Sequence, residues 1–250
     1  MSFDLAHAPL LAAAAFAAGA LNAVAGGGSF LTFPALVFTG VPPIVANATS
    51  AVAVSPGYLG STLGFKTELQ AQPPALLWRE TLVAGVGGVV GALLLLVTPG
   101  RLFSSLVPWL LLFATVLFAA GPWIARRAGG GQGHAAWRLP GLAAVAVYGG
   151  YFNGGLGILL MALYTVVGES RLAVVNALKN LNSLVLSWLS VLAFALAGAI
   201  AWPQALLMMV AATVGGYAGA HLSKRLPVAG VRVFVVVVGL VMSLLFFLRA

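Results

Sequence analysis

Two clusters of polar side chains interrupt an otherwise apolar chain. Asn47, Thr49 and Ser50 gather at the start of one hydrophobic stretch, and Asn176, Lys179, Asn180, Asn182 and Ser183 at the start of another. Amides, hydroxyls and a single ammonium offer hydrogen-bond donors and one positive charge, the chemistry needed to hold a small anion. Lys179 is the one lysine or arginine that falls well inside a hydrophobic segment, and an ionisable residue in that setting is a functional candidate by default. Contact with a substrate competes with a simpler reading, snorkelling of the side chain to the nearby membrane face around Gly168.

Upstream of each cluster the hydrophobic pattern is broken by glycine. Gly26, Gly27 and Gly28 precede Ser29 in the first case, and Gly154, Gly155 and Gly157 follow Gly149-Gly150 in the second, with Asn22 and Asn153 flanking the two breaks. A helix that starts just after such a break aims unpaired N–H groups and the positive end of its dipole at the interruption. Two such ends meeting near a membrane midplane would make an anion site, with Gly26–Ser29 and Gly154–Gly157 as its backbone donors and the asparagines as secondary contacts. The competing reading is that the glycines only let helices pack closely, and both can hold together.

Other chemistry is poorly supported. The acids are Asp4, Glu68, Glu80 and Glu169, all expected in or near loops, and no carboxylate pair suggests general acid–base catalysis. HExxH and Walker lysine motifs are absent, and there are no cysteines, which excludes disulfides and thiolate metal sites. Ser29 has no histidine in an obvious partner segment, so the chain is read as neither an enzyme nor a cofactor or metal protein.

Composition says what must surround these residues. Hydrophobic residues make up 62% and charged residues 6%, with a mean hydropathy of +1.09; a soluble surface needs far more charge. Runs such as Leu82–Val97, Val107–Ala120 and Val231–Leu248 are long and apolar enough to cross a hydrocarbon core of roughly 30 Å. They do not alternate, which excludes β-barrel strands. In this setting the net charge of +8 reads as cytoplasmic loop charge and not as a nucleic-acid surface. The N-terminal apolar stretch lacks a basic leader and reads as a retained membrane segment.

Sliding the chain along itself exposes a duplication. Val86-Gly87-Gly88 falls on Val214-Gly215-Gly216, Gly26-Gly27 on Gly154-Gly155 and Gly40 on Gly168; one residue of slippage then lays Asn47-Ala48 on Asn176-Ala177. Residues 1–125 and 139–250 therefore read as related transmembrane units joined by a polar cytoplasmic linker, 126–138. Each unit has a glycine-broken stretch followed by three longer helices, at 44–64, 75–97 and 105–124, then 172–194, 203–222 and 231–248.

The positive-inside rule chooses the path of the broken stretches. If each enters and returns as a hairpin, ten of the twelve lysines and arginines fall on or nearest one face, leaving Arg101 and Arg249 on the other. A single crossing would divide them evenly. The expected fold is an all-α polytopic membrane protein of two inverted-topology repeats, each a hairpin plus three transmembrane helices, eight to ten membrane segments in all. Both termini would then lie outside the cytoplasm. Inverted repeats with matched interruptions are a transporter pattern.

At this point the residues carry a resemblance. AGGGSFLTFPALVFTGVPPIVANATSAVAV, at 25–54, resembles the N-terminal signature of the TauE/SafE sulfite exporter family, with the glycine run, Pro34, Gly40, Pro42 and Asn47–Ser50 in order. NGGLGILLMALYTVVGESRLAVVNALKNLNSL resembles the family's repeat, but lacks counterparts of Pro34 and of the Thr-Ser pair. The resemblance implies an inner-membrane carrier that exports small sulfur oxyanions or sulfonates, such as sulfite or sulfoacetate. It leaves open uptake of thiosulfate or organosulfur compounds coupled to protons or sodium, an anion channel, and whether the carrier is a homo-oligomer. An inside-negative potential drives a monoanion outward, and the apparent lack of a buried carboxylate as proton carrier favours export.

Overall fold

A computed structural model describes residues 4–25, 27–128, 135–222 and 228–248. Gly26, Lys224, Arg225, Arg249 and residues 129–134 of the 126–138 linker lie outside the described residues. All regular structure among the described residues is helical. The glycine breaks divide α1 (Ala8–Ala25) from α2 (Ser29–Phe38), and α7 (Arg138–Tyr151) from α8 (Leu156–Val166). Between and after them run α3 (Pro43–Gly64), the short α4 (Lys66–Gln70), α5 (Pro74–Val97), α6 (Gly100–Ala128), α9 (Leu172–Leu196), α10 (Trp202–Leu222) and α11 (Val228–Phe247). Among the described residues, Leu5–Asn22, Pro74–Val97, Gly100–Ala120 and Leu172–Leu196 are long and apolar enough to cross a membrane, and Ser29–Phe38, Leu156–Val166 and Val236–Phe247 are shorter apolar helices.

Local sequence sets these boundaries. Pro43 and Pro74 open α3 and α5 at the first helical position, where a missing N–H costs nothing. Gly40 and Gly168 end the short helices at φ 85° and φ 96°, a left-handed conformation in which a Cβ would be strained. Each builds the same cap: Val41 N–H donates to the Leu36 carbonyl and Glu169 N–H to the Tyr164 carbonyl, both at 3.0 Å. That pattern satisfies carbonyls left open at a helix end.

Two crossings organise the bundle. α1 packs along α10, and α7 along α5. An added Cβ at Gly19 would strike the Ala212 carbonyl, and one at Gly215 the backbone of Phe16; at Gly150 it would strike the Gly88 carbonyl, and at Gly87 the Ala146 side chain. Backbone-to-backbone approach of this kind gives dispersion contact that lipid cannot supply. α3 packs against α9, and α6 against α11. A central core forms around Phe30, Phe33, Phe103, Phe152 and Phe194, and a second cluster around Tyr164, Leu156, Leu160, Leu178 and Leu186. Outward faces carry leucine, valine and all six tryptophans, each about half exposed or more. Such a surface fits lipid and its interface, not water.

Candidate functional site

A cavity of about 410 Å³ lies between α1, α3 and α10, with α8 and α9 contributing one wall. Four residues singled out from sequence meet there: Asn22, Gly157, Lys179 and Asn180. Lys179 is 7% exposed and Asn180 5%, and no hydrogen bond or ion pair from the Lys179 ammonium occurs among the described residues. A lysine with so little access to solvent and no counter-charge is best balanced by an anion in the adjoining space. Asn22 lies beside the Tyr58 hydroxyl, and its Oδ1 accepts from Gly28 N–H at 3.5 Å. Ser61, Thr213 and Tyr217 add further polar groups to the wall.

The α3 wall carries a built-in irregularity. Pro56 sits inside the helix and cannot donate to the Val52 carbonyl one turn back. The Ser55 hydroxyl donates to that carbonyl instead, at 2.9 Å. Backbone polarity at membrane depth is thereby satisfied, and Pro56 and Gly57 face the cavity.

The other sequence candidates take up positions outside the cavity wall. Asn47 of α3 is buried and holds the glycine break between α7 and α8: its Nδ2 donates to the Tyr151 carbonyl at 3.2 Å, and its Oδ1 accepts from Asn153 N–H at 3.3 Å. Thr49 Oγ1 accepts from Ala201 N–H at 3.0 Å, at the entrance to α10. Ser50 and Thr32 share a hydroxyl hydrogen bond of 2.6 Å. Asn176 Nδ2 donates to Leu172 within its own helix. Gly27, Gly28 and Ser29 are buried at the start of α2, and the Gly154 carbonyl accepts from the Tyr148 hydroxyl at 3.0 Å. Gly155 caps α8 at φ 81°. Asn153 lies close by, with both side-chain polar atoms buried and unpaired.

A second polar centre surrounds Glu80. The expectation that every acid lies in or near a loop fails here, because Glu80 is wholly buried within α5. Arg138, from the start of α7, donates from Nε to Glu80 Oε1. Tyr164 of α8 donates to Glu80 Oε2 at 2.8 Å, and Asn182 of α9 reaches the same oxygen at 3.1 Å. One carboxylate therefore holds four helices together. Glu169, in the loop after α8, behaves more conventionally: burial would raise its pKa, but hydrogen bonds and charge from Arg171 outweigh this and hold it below the usual carboxylate value.

Comparison with known proteins places the sequence in a family. The sulfite exporter TauE/SafE family profile aligns with residues 11–246. The chain belongs to the TauE/SafE family. Its relatives include a probable membrane transporter protein of Haemophilus influenzae, 27% identical over 238 residues, covering 91% of this chain and 89% of the relative. Probable membrane transporter protein ORF9 of a Sinorhizobium species is 28% identical, covering 86% and 81%. Probable membrane transporter protein YfcA of Escherichia coli K12 is 26% identical, covering 92% and 85%. No solved structure matches the chain. As a TauE/SafE protein the chain is a multi-pass membrane transporter, consistent with transport and not catalysis.

Sequence reasoning missed Glu80 and the hydroxyl-bearing cavity residues of this TauE/SafE chain. A signal for Glu80 was present: Pro73-Pro74 fixes the start of α5, which places Glu80 nearly two turns inside the helix. Nothing comparable marks Tyr58, Ser61 or Thr213, whose neighbours in the cavity come from distant parts of the chain.

Proposed function

We propose that the protein is a secondary carrier that exports small sulfur-containing anions, such as sulfite or a sulfonate, across the inner membrane. The anion would bind near the midplane in the cavity of Asn22, Gly157, Lys179 and Asn180. The observation that carries this reading is the largely buried Lys179 side chain at the cavity wall, without an ion-pair partner among the described residues, joined to the family's description as sulfite exporters.

Inverted repeats are part of the proposal, with both termini extracytoplasmic. Their support is an exchange of partners under the duplication register. Gly215, set against the α1 backbone at Phe16, corresponds to Gly87, set against α7 at Ala143 and Ala146. α1 on α10 thus answers α7 on α5, and α3 meets its own counterpart α9. Such an arrangement suits alternating access by rocking around a fixed site.

The direct test is counterflow of radiolabelled sulfite into proteoliposomes preloaded with unlabelled sulfite or sulfoacetate, without an ion gradient. Accumulation is expected in the natural protein and its loss in Lys179→Met. Equal accumulation in a correctly folded Lys179→Met protein would sink the assignment.

A second reading, coupled uptake of thiosulfate or an organosulfur compound, gains from Glu80. A buried carboxylate removes one argument against proton coupling. Its partners Arg138, Tyr164 and Asn182 hold it as a structural tie between helices, away from the cavity wall, so export stays the leading reading.

A further inference from the structure

The cavity occupies one side of a duplicated framework, and its existence traces to two positions. In the register that lays Asn47 on Asn176, Gly57 corresponds to Leu186 and Gly60 to Leu189. In the register that lays Gly87-Gly88 on Gly215-Gly216, Gly85 and Gly88 correspond to Thr213 and Gly216. The α5–α9 contact is closed by the leucines: an added Cβ at Gly85 would meet Leu189 Cδ1 at 2.7 Å, and one at Gly88 would meet Leu186 Cγ at 2.9 Å. Ser190 seals the same contact by donating to the Gly88 carbonyl at 3.0 Å.

The corresponding α3–α10 contact is open. Gly57, Gly60, Thr213 and Gly216 all line the cavity. A Cβ at Gly60 would meet nothing within 4 Å, and one at Gly57 only Asn22 Nδ2 at 3.7 Å. These glycines therefore do not serve close packing here. They leave space where the other half has leucine side chains, and the largely buried Lys179 forms part of the wall of that space.

We infer that Gly57 and Gly60 are the specificity-determining residues of the transport site, setting the size of anion that fits beside Lys179. This rests on the anion-carrier reading. A bare oxyanion would fill little of about 410 Å³, so the glycine side of the cavity accommodates the carbon body of an organic anion while the ammonium side holds its charged head. The duplicate position in the second half is closed by Leu186 and Leu189.

Counterflow of methanesulfonate, ethanesulfonate and butanesulfonate, measured side by side in proteoliposomes, tests this. Gly57→Ala and Gly60→Ala should each lower the butanesulfonate-to-methanesulfonate rate ratio by about tenfold, the discrimination typical of a methylene-sized change in a pocket. Gly64→Ala is the control for helix propensity, since Gly64 ends the same helix, has no atom within 4 Å of an added Cβ and does not line the cavity. A ratio that does not move in an active Gly57→Ala or Gly60→Ala carrier overturns the size assignment alone. A uniform loss for all three sulfonates also overturns it, because it would mark the glycines as a moving contact. A natural protein that moves no sulfonate overturns the anion-carrier reading and this inference with it.

Because the chain has no cysteine, Ser61→Cys supplies a separate measure of the space. Labelling of that thiol by a maleimide should slow about tenfold in the Gly57→Leu/Gly60→Leu background, where side chains matching Leu186 and Leu189 refill the contact. Unchanged labelling in folded protein would overturn the claim that these glycines open the cavity.

Discussion

Asn47 ties α3 to the glycine break between α7 and α8 with one side chain. One side-chain amide uses both its donor and its acceptor on the backbone at Tyr151 and Asn153, where the break between α7 and α8 leaves those groups without helical partners. In a site shielded from water, an orphaned backbone group costs about 1–3 kcal/mol. Asn47→Ala orphans two at once, so the detergent-solubilised protein should lose about 2 kcal/mol or more of stability, seen as a lowered thermal midpoint. Asn47→Asp keeps the acceptor for Asn153 N–H but removes the donor to Tyr151 and should fall between the two. A midpoint unaffected by Asn47→Ala would show that the pairing carries no weight. Lys179 follows a different logic. Its value lies in having no protein partner, so its replacement by methionine should cost transport without costing stability.

Between helices, the Glu80 centre holds α5 to α7, α8 and α9 through charge and hydrogen bonds at one end of the bundle. In the duplication register Glu80 corresponds to Met208, which is fully buried in apolar surroundings. One crossing is thus locked by an ion pair and the other packed by hydrocarbon. Breaking such a pair strands the remaining charge. Glu80→Gln should destabilise by about 3 kcal/mol, the low end for buried pairs, because Arg138 keeps 18% exposure of its side chain. Replacing both Glu80 and Arg138 by methionine should recover most of that loss, since well-packed apolar pairs often equal buried ion pairs in stability. Thermal midpoints of the single and double variants decide it; a double variant no better than Glu80→Gln would contradict the ion-pair account. The helices themselves were largely legible in sequence, because apolar runs bounded by Pro43, Pro74, Gly40 and Gly168 leave little choice of register. Glu80 was less legible, since a carboxylate near the start of a helix looks like an interfacial residue until its partners from three other helices are known. Gly57 and Gly60 were invisible among 31 glycines; only the open space at their Cβ positions separates them from glycines that serve packing.

For the molecule as a whole, the cavity charge bears on energetics. The described cavity wall contributes one cation, Lys179, and no carboxylate, so on the proposed reading a bound monoanion would be neutralised by a charge that stays with the protein. A carrier that returns empty then moves a net negative charge with each anion. An inside-negative potential drives that movement outward by about 2.3 kcal/mol per charge per 100 mV, roughly fifty-fold in concentration. No coupling ion is required for export on this scheme, whereas uptake would have to work against the same force. The prediction is an electrogenic carrier. In proteoliposomes loaded with a labelled monovalent sulfonate, a potassium diffusion potential set negative inside should speed efflux, and the opposite polarity should slow it. Counterflow at equal anion concentrations should respond far less, because loaded carriers then exchange without net charge movement. Efflux indifferent to the potential would mean that a cation travels with the anion. In that case coupled uptake replaces export as the better account.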